Sequence, residues 1–229
     1  PRSSRRHAAL DHETHRATSR RAAPRTQKRP PPVNYRALIA RHYPTDSSLR
    51  RLLLLHSGQV CRRALDIARR HPELGADLAL VEAGAMLHDI GIFLTDAPGI
   101  HCHGTAHYIL HGSLGAQLLR NEAKQLKEEQ LQAIQLQEEL HFYEALARIC
   151  ERHTGTGLTA EDIRRQGLPL PLEDFRPETE AEKVICYADK FFSKSHPDAE
   201  KTAAQVVKSL AKFGPKSPAI FQAWDERYG

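Results

Sequence analysis

The chain contains 229 residues with a formal net charge of +5, and this length predicts one domain, or two small ones, that can bury a sizeable core. Residues 1–32 hold nine Lys or Arg against two acids, a net charge of +7, so residues 33–229 carry −2 and give no electrostatic case for binding nucleic acid. No apolar run of 18 residues and no secretory hydrophobic region occurs, which argues against a membrane or exported protein, and we expect a cytoplasmic one.

Residues 1–32 are predicted to be a disordered basic tail. They contain five prolines and almost no large apolar side chain, a composition that cannot bury enough surface to offset chain entropy. Such a tail could bind nucleic acid or acidic lipid. An Arg-rich leader is also typical of transit peptides, although Asp11, Glu13 and the prolines at 30–32 weaken that interpretation.

Helical patterns follow one another through residues 33–229, which we predict to be a single all-α domain. The first helix runs from a cap at Ser47 or Ser48 to about His71. Further helices are predicted, in chain order, over about residues 76–88, 106–121, 122–150, 159–167, 179–190, 198–213 and 217–227. Residues 91–105 contain three glycines and a proline and are predicted to form a loop. No convincing alternation of period two occurs, which argues against a sheet.

An adjacent His-Asp pair, His88-Asp89, closes the second of these helices, and Gly91 follows as a helix stop. Imidazole nitrogen and carboxylate oxygen together suit a borderline divalent metal. At a helix end the backbone can turn so that both side chains point at one ion. Taken alone, the pair is equally well explained as an ordinary helix terminus.

Other polar residues lie where helical spacing turns them into the protein. They are His56, His111, His153 and Asp189. Gly112 and Gly115 after His111 permit close helix packing around it. Each of these residues alone is more simply a hydrogen-bonded core residue. Because that explanation needs five helices each to bury a polar group by coincidence, the joint pattern predicts a metal centre.

The order His56, His88-Asp89, Asp189 resembles the HD-domain superfamily of metal-dependent phosphohydrolases, and residues 88–91, His-Asp-Ile-Gly, resemble its HDIG subgroup. Segments 150–162, 177–183 and 187–190 resemble small stand-alone bacterial and archaeal HDIG proteins. The likeness covers about residues 45–195, with residues 196–229 as further C-terminal helices. It implies a single helical bundle of the HD type over residues 33–229. The Gly-Tyr-Pro signature of cyclic-di-GMP phosphodiesterases is absent.

The resemblance also implies a set of metal ligands. The first metal would be bound by His56, His88, Asp89 and Asp189. A second would be completed by His111 and His153, with Asp89 bridging the two. Nitrogen and oxygen ligands fit Fe, Mn, Zn, Co or Ni, and one or two divalent ions per chain are expected.

The leading functional prediction is hydrolysis of a phosphate ester or anhydride, with a nucleotide as the favoured small-molecule substrate. Water activated by the metal would be the nucleophile, which makes His88 and Asp89 the expected catalytic residues. Developing negative charge needs cations, and the candidates for binding substrate phosphate are Lys190, Lys194, Arg62, Arg63 and His103. Each of these has an alternative interpretation as a solvated surface group.

A second hypothesis is a catalytically weak, metal-bound nucleotide sensor or interaction module. Residues 122–140, rich in Glu, Gln and Lys with leucines spaced through them, would then face a partner, and a homo-oligomer is possible. Within the enzyme class, six ligands and two metals resemble HD-type dinucleoside polyphosphate hydrolases. Four ligands and one metal resemble HD-type 5′-nucleotidases.

Overall fold

The computed structural model of the protein describes residues 33–129 and 134–229, and nearly all of its regular structure is helical. The helices, in chain order, are α1 (Tyr35–His42), α2 (Ser48–Arg70), α3 (Leu78–Leu87), α4 (His111–Glu129), α5 (Ile134–Arg152), α6 (Ala160–Gln166), α7 (Glu180–Asp189), α8 (Ala203–Leu210) and α9 (Lys216–Tyr228). The predicted all-α fold is confirmed, and the predicted tail lies outside the described residues. None of the described helices is both long enough and apolar enough to cross a membrane.

The predicted loop over residues 91–105 contains a small hairpin that the sequence did not indicate. Strands β1 (Asp96–Ala97) and β2 (Cys102–His103) pair antiparallel, with Asp96 opposite His103. Strands of two residues are too short to show an alternating pattern, which is why no strand was predicted here.

Helix α3 lies between two hydrophobic clusters. Val81 and Ala85 belong to a cluster formed mainly by α2, α7, α8 and α9. Ala83 and Leu87 belong to a second cluster, formed mainly by α1, α4 and α5. A helix buried on opposite sides is expected to be apolar all round, as α3 is. The His-Asp pair that follows α3 therefore emerges where the two clusters meet.

Helix α1 was not predicted from the sequence. Asn34 caps it by accepting a hydrogen bond from the backbone N–H of Ala37. Leu38 and Ile39 are buried in the second cluster. Just beyond the helix, the Tyr43 hydroxyl donates to the backbone oxygen of Ile90 at 2.8 Å. This segment therefore packs over the residue that follows the His-Asp pair.

The boundaries of α4 and α5 differ from those predicted. The helix expected over residues 106–121 begins at His111, after a 3₁₀ turn at Tyr108–Leu110, and continues to Glu129. Residues 122–140 are thus divided between the end of α4 and the start of α5, with 130–133 outside the described residues. The predicted change of helix near residue 121 was wrong because apolar and polar residues continue at helical spacing through it.

Glycines bring α4 close to its neighbours. A Cβ at Gly112 would lie 2.4 Å from the backbone oxygen of Cys150 in α5. A Cβ at Gly91 would lie 2.4 Å from the His111 oxygen and 2.4 Å from the Gly115 nitrogen. Gly91 has φ −84° and lies beyond the end of α3 at Leu87, so it does not adopt the left-handed conformation common in glycines that end helices. Its role is to allow the turn after the His-Asp pair to touch the backbone of α4.

Helix α7 begins with a capping box at Thr179, whose side chain accepts from the Glu182 N–H while the Glu182 carboxylate accepts from the Thr179 N–H. We expect Thr179→Ala to lower the free energy of unfolding by about 1 kcal/mol, since the helix loses this acceptor. Urea denaturation measures the change. Thr179→Ser keeps the hydroxyl and should remain close to wild type, whereas equal losses in both variants would contradict a capping role.

Candidate metal centre

Six polar side chains from five helices meet at one place in the protein. They are His56 within α2, His88 and Asp89 directly after α3, His111 at the start of α4, His153 directly after α5, and Asp189 at the end of α7. Each is no more than 8% exposed. The structure thus brings together all six residues that the sequence analysis grouped, and the division of ligands between two metals stays a prediction.

The first group of donor atoms consists of Nε2 of His56, Nε2 of His88 and one oxygen each of Asp89 and Asp189. His56 Nε2 lies 3.0 Å from Asp189 Oδ1 and 3.2 Å from Asp89 Oδ2. His88 Nε2 lies 3.1 Å from the same Asp89 oxygen and 3.6 Å from the same Asp189 oxygen. Two imidazole nitrogens and two carboxylate oxygens therefore face a common point.

The second group lies on the other side of Asp89. His111 Nε2 and His153 Nε2 are 3.0 Å apart, and each is 3.5 Å from Asp89 Oδ1. The two oxygens of Asp89 thus point to different pairs of histidines. A carboxylate in this arrangement can contribute one oxygen to each of two ions.

Backbone oxygens orient three of the histidines. The Nδ1 atoms of His88, His111 and His153 each lie 2.7 Å from the carbonyl oxygen three residues earlier in the chain, at Ala85, Tyr108 and Cys150. Because a carbonyl can only accept, Nδ1 carries the proton and a neutral ring has its lone pair on Nε2. That is the tautomer in which Nε2 can bind a metal.

The two carboxylates dominate the electrostatics of the centre. Burial opposes a positive charge on His88, but Asp89 and Asp189 outweigh it and raise its pKa to about 9. Burial lowers the pKa of His111 to about 3 and also lowers that of His153, so both are neutral at pH 7. Burial opposes ionisation of Asp89 and Asp189, yet nearby lysines and histidines hold their pKa values well below the usual range.

The residues fit a metal on a further observation. Asp89 is fully buried, and no described residue donates to its Oδ1 with hydrogen-bond geometry, whereas its Oδ2 forms an ion pair with Lys194 Nζ at 2.6 Å. Three donor atoms from His56, His88 and Asp189 lie within 4.8 Å of one another. Three donor atoms from His88, Asp89 and His153 do the same. A buried carboxylate oxygen without a donor is costly, and the nitrogen and oxygen atoms around Asp89 Oδ1 are of the kind that bind a divalent ion.

Two lysines reach the same carboxylates. Lys194 Nζ lies 2.6 Å from Asp89 Oδ2, and Lys190 Nζ lies 2.6 Å from Asp189 Oδ2. Lys190 also donates to the backbone oxygen of His153 at 2.8 Å. Burial opposes their charge, but the adjacent carboxylates prevail and raise both lysine pKa values. Both remain cationic at pH 7.

A cavity of about 490 Å³ adjoins the centre at Asp189. Of the predicted phosphate-binding residues, Lys190 and Lys194 line it, whereas Arg62, Arg63 and His103 do not. The Arg63 guanidinium lies over the Phe191 ring and forms an ion pair with Glu200 at 2.6 Å, so it is engaged elsewhere.

The other two side chains also lie away from this cavity. Arg62 is exposed on α2, and His103 lines a different cavity with His101 and Ser47. The sequence grouped them with the site because they follow a ligand closely along the chain. On a helix, however, neighbours in sequence point in different directions.

Sequence reasoning also missed residues that do line the cavity. Tyr108 stacks on His111 with ring centroids 4.7 Å apart, and Lys201, Ser209 and Lys212 come from the C-terminal segment. No spacing relates that segment to the ligands, so only the packing of α8 against the rest of the chain reveals them.

Comparisons with known proteins agree with this geometry. A family model described as the HD domain matches residues 53–193. An uncharacterized protein of Methanocaldococcus jannaschii is 31% identical over 163 residues, which is 71% of this chain and 78% of that protein.

Two further relatives are named tRNA (cytidine(56)-2′-O)-methyltransferase. The protein from Picrophilus torridus is 32% identical over 142 residues, or 62% of this chain, and the protein from Thermoplasma volcanium is 30% identical over 167 residues, or 73% of this chain. The chain spans 32% and 38% of their respective lengths. No solved structure matches the chain. With a family match over most of its length and the six converging side chains, this chain belongs to the HD-domain family of metal-dependent hydrolases.

Proposed function

We propose that this protein is a cytoplasmic phosphohydrolase that cleaves a phosphate ester or anhydride, with a nucleotide as its substrate. The observation that carries the proposal is the position of Asp89, whose two oxygens face two pairs of histidines beside a cavity lined by lysines. A divalent ion held by these residues would lower the pKa of a bound water and withdraw charge from a phosphoryl oxygen.

The protein's own cations support the same reaction. In hydrolysis the water oxygen forms a bond to phosphorus, the phosphorus–oxygen bond to the leaving group breaks, and the water releases a proton. Negative charge grows on the phosphoryl oxygens and the leaving oxygen. Lys190 and Lys194 are partly buried cations at the edge of the centre, where fixed positive charge stabilises such oxygens more than it would in water.

The cavity also has an apolar part that suits a nucleobase. Its lining includes Ile100, Tyr108, Phe192 and Leu210 in addition to the lysines. Sites for small ligands combine apolar and aromatic walls with a few polar groups that fix orientation. A molecule with a phosphate at one end and an aromatic ring at the other matches this division.

Metal analysis and a substrate panel test the proposal. Protein purified without chelators or a metal-affinity tag should contain about two equivalents of metal if all six residues bind, and about one if only the first group does. We expect hydrolysis of nucleotides or phosphate esters that is lost on dialysis against EDTA and restored by Mn²⁺. Tight nucleotide binding without any product would contradict the enzyme proposal and support the sensor hypothesis.

The two relatives named tRNA methyltransferases favour a second candidate substrate, a terminal phosphate on RNA. RNA oligonucleotides with a 5′- or a 3′-phosphate belong in the same panel. Faster release of phosphate from them than from any mononucleotide would favour this candidate over the first.

A further inference from the structure

The cavity beside the candidate metal centre holds more positive charge than the two carboxylate-bound lysines supply. Its charged lining residues are Asp189, Lys190, Lys194, Lys201 and Lys212. Lys190 and Lys194 each contact a carboxylate oxygen at 2.6 Å. Lys201 Nζ instead lies 3.5 Å from the backbone oxygen of Lys190. Among the described residues, no carboxylate forms an ion pair with Lys201.

The surroundings of Lys201 disfavour its charge in the absence of a ligand. Burial lowers its pKa, and the neighbouring lysines add to this shift against the opposing charge of Asp189. An anion bound here would offset both the lost hydration and the mutual repulsion of the ammonium groups. Ser193 and Ser195 line the same cavity with their hydroxyl oxygens 3.1 Å apart, and Ser195 Oγ also lies 3.1 Å from His196 Nδ1. On binding an anion, these hydroxyls would turn to donate hydrogen bonds to it.

We propose that Lys201, together with the hydroxyls of Ser193 and Ser195, forms a second anion subsite that binds the second phosphate of a nucleoside diphosphate or triphosphate. This inference rests on the proposed function, since it takes the metal centre as the place where the first phosphate reacts.

The contacts of Lys201 link it through Lys190 to the candidate metal centre. Lys201 contacts the backbone of Lys190, and the Lys190 side chain contacts Asp189 of the candidate metal centre. A phosphate joined by an anhydride oxygen to the reacting one is the nearest second anion that such a ligand can present. The next phosphate of an RNA strand is a whole nucleoside further away.

Binding of two non-hydrolysable anions tests the subsite. Methylenediphosphonate and methylphosphonate are titrated calorimetrically into the full chain in excess Mn²⁺. For Lys201→Met we expect affinity for methylenediphosphonate to fall by about tenfold or more, because a charge-assisted hydrogen bond is lost, with little change for methylphosphonate. Lys208→Met removes an exposed lysine of α8 that does not line the cavity, and should change neither affinity. Both anions bind Mn²⁺ in solution to the same extent whichever of the three proteins is present, so this binding does not affect the comparison between proteins.

The outcomes separate the subsite from the proposed function. Equal losses for both anions in Lys201→Met, or no loss for either, would overturn the subsite even if the protein hydrolyses nucleotides. Comparison of kcat/KM for ADP and for the 5′-phosphorylated dinucleotide pApA shows which kind of molecule supplies the second phosphate. A fall in kcat/KM of Lys201→Met that is confined to ADP supports an anhydride-linked second phosphate. A fall confined to pApA overturns that assignment in favour of an RNA strand. Absence of all hydrolysis in wild type, with normal anion binding, would count against the proposed function alone.

Discussion

Replacing Asp89 with alanine should abolish both metal retention and hydrolysis. Its oxygens lie within 3.5 Å of Nε2 of His56, His88, His111 and His153, so one substitution removes a donor from both groups. Loss of a residue that only orients a ligand costs about 10–100-fold in metal affinity or activity, and loss of a shared ligand should exceed about 100-fold. Metal content by mass spectrometry and kcat/KM on the best substrate of the panel measure the effect.

Two further variants separate chemistry from folding. Asp89→Asn keeps the volume of the side chain but cannot balance an ion, so it should fold and still lack metal. Asp66→Ala removes an exposed carboxylate of α2 that pairs with Arg70, and should keep both metal and activity. Undiminished hydrolysis by correctly folded Asp89→Asn protein would remove the proposed function.

Gly91→Ala should strongly destabilise the protein. The added methyl group would lie 2.4 Å from two backbone atoms of α4, and neither can move without moving the helix. Overpacking of this kind typically costs 1–3 kcal/mol and can cost more, so we expect a loss of about 3 kcal/mol or more in the free energy of unfolding. Since one of those atoms is the His111 oxygen, metal content should fall as well.

Gly58→Ala is the matched control for that experiment. Gly58 lies within α2, where a Cβ would meet only the Arg62 side chain at 3.7 Å. Because alanine restricts the unfolded chain and favours helix, this variant should gain about 0.5–1 kcal/mol. Urea denaturation of both variants gives the comparison. A Gly91→Ala protein as stable as wild type would show that α4 does not pack this closely against the turn.

The centre could be predicted from the sequence because its polar residues lie at positions that helical spacing turns toward the apolar core. His56 and Asp189 interrupt apolar helix faces, and such interruptions are costly unless the groups meet. The helices themselves follow from periodicity and from caps such as Ser47 and Thr179. These signals are local in the chain, and reading them requires no knowledge of how the helices pack.

Features that depend on packing could not be predicted. The start of α4 at His111 follows from contacts with Gly91 and Cys150, which are remote in sequence. Lys201 lies 12 residues after the last ligand, and only the placement of the C-terminal segment brings it to the cavity. Arg63 shows the opposite error, because proximity in sequence to His56 suggested a role that its contact with Phe191 does not support.

The main-chain acceptors of His88, His111 and His153 have a consequence for how this protein tolerates mutation. Every amino acid supplies a carbonyl, so no single substitution at positions 85, 108 or 150 can delete the group that sets these ring orientations. Where a side chain performs that task, one codon change can remove it. Substitutions at these three positions therefore leave the acceptor in place, so the ring orientations tolerate any side chain that the local packing accepts.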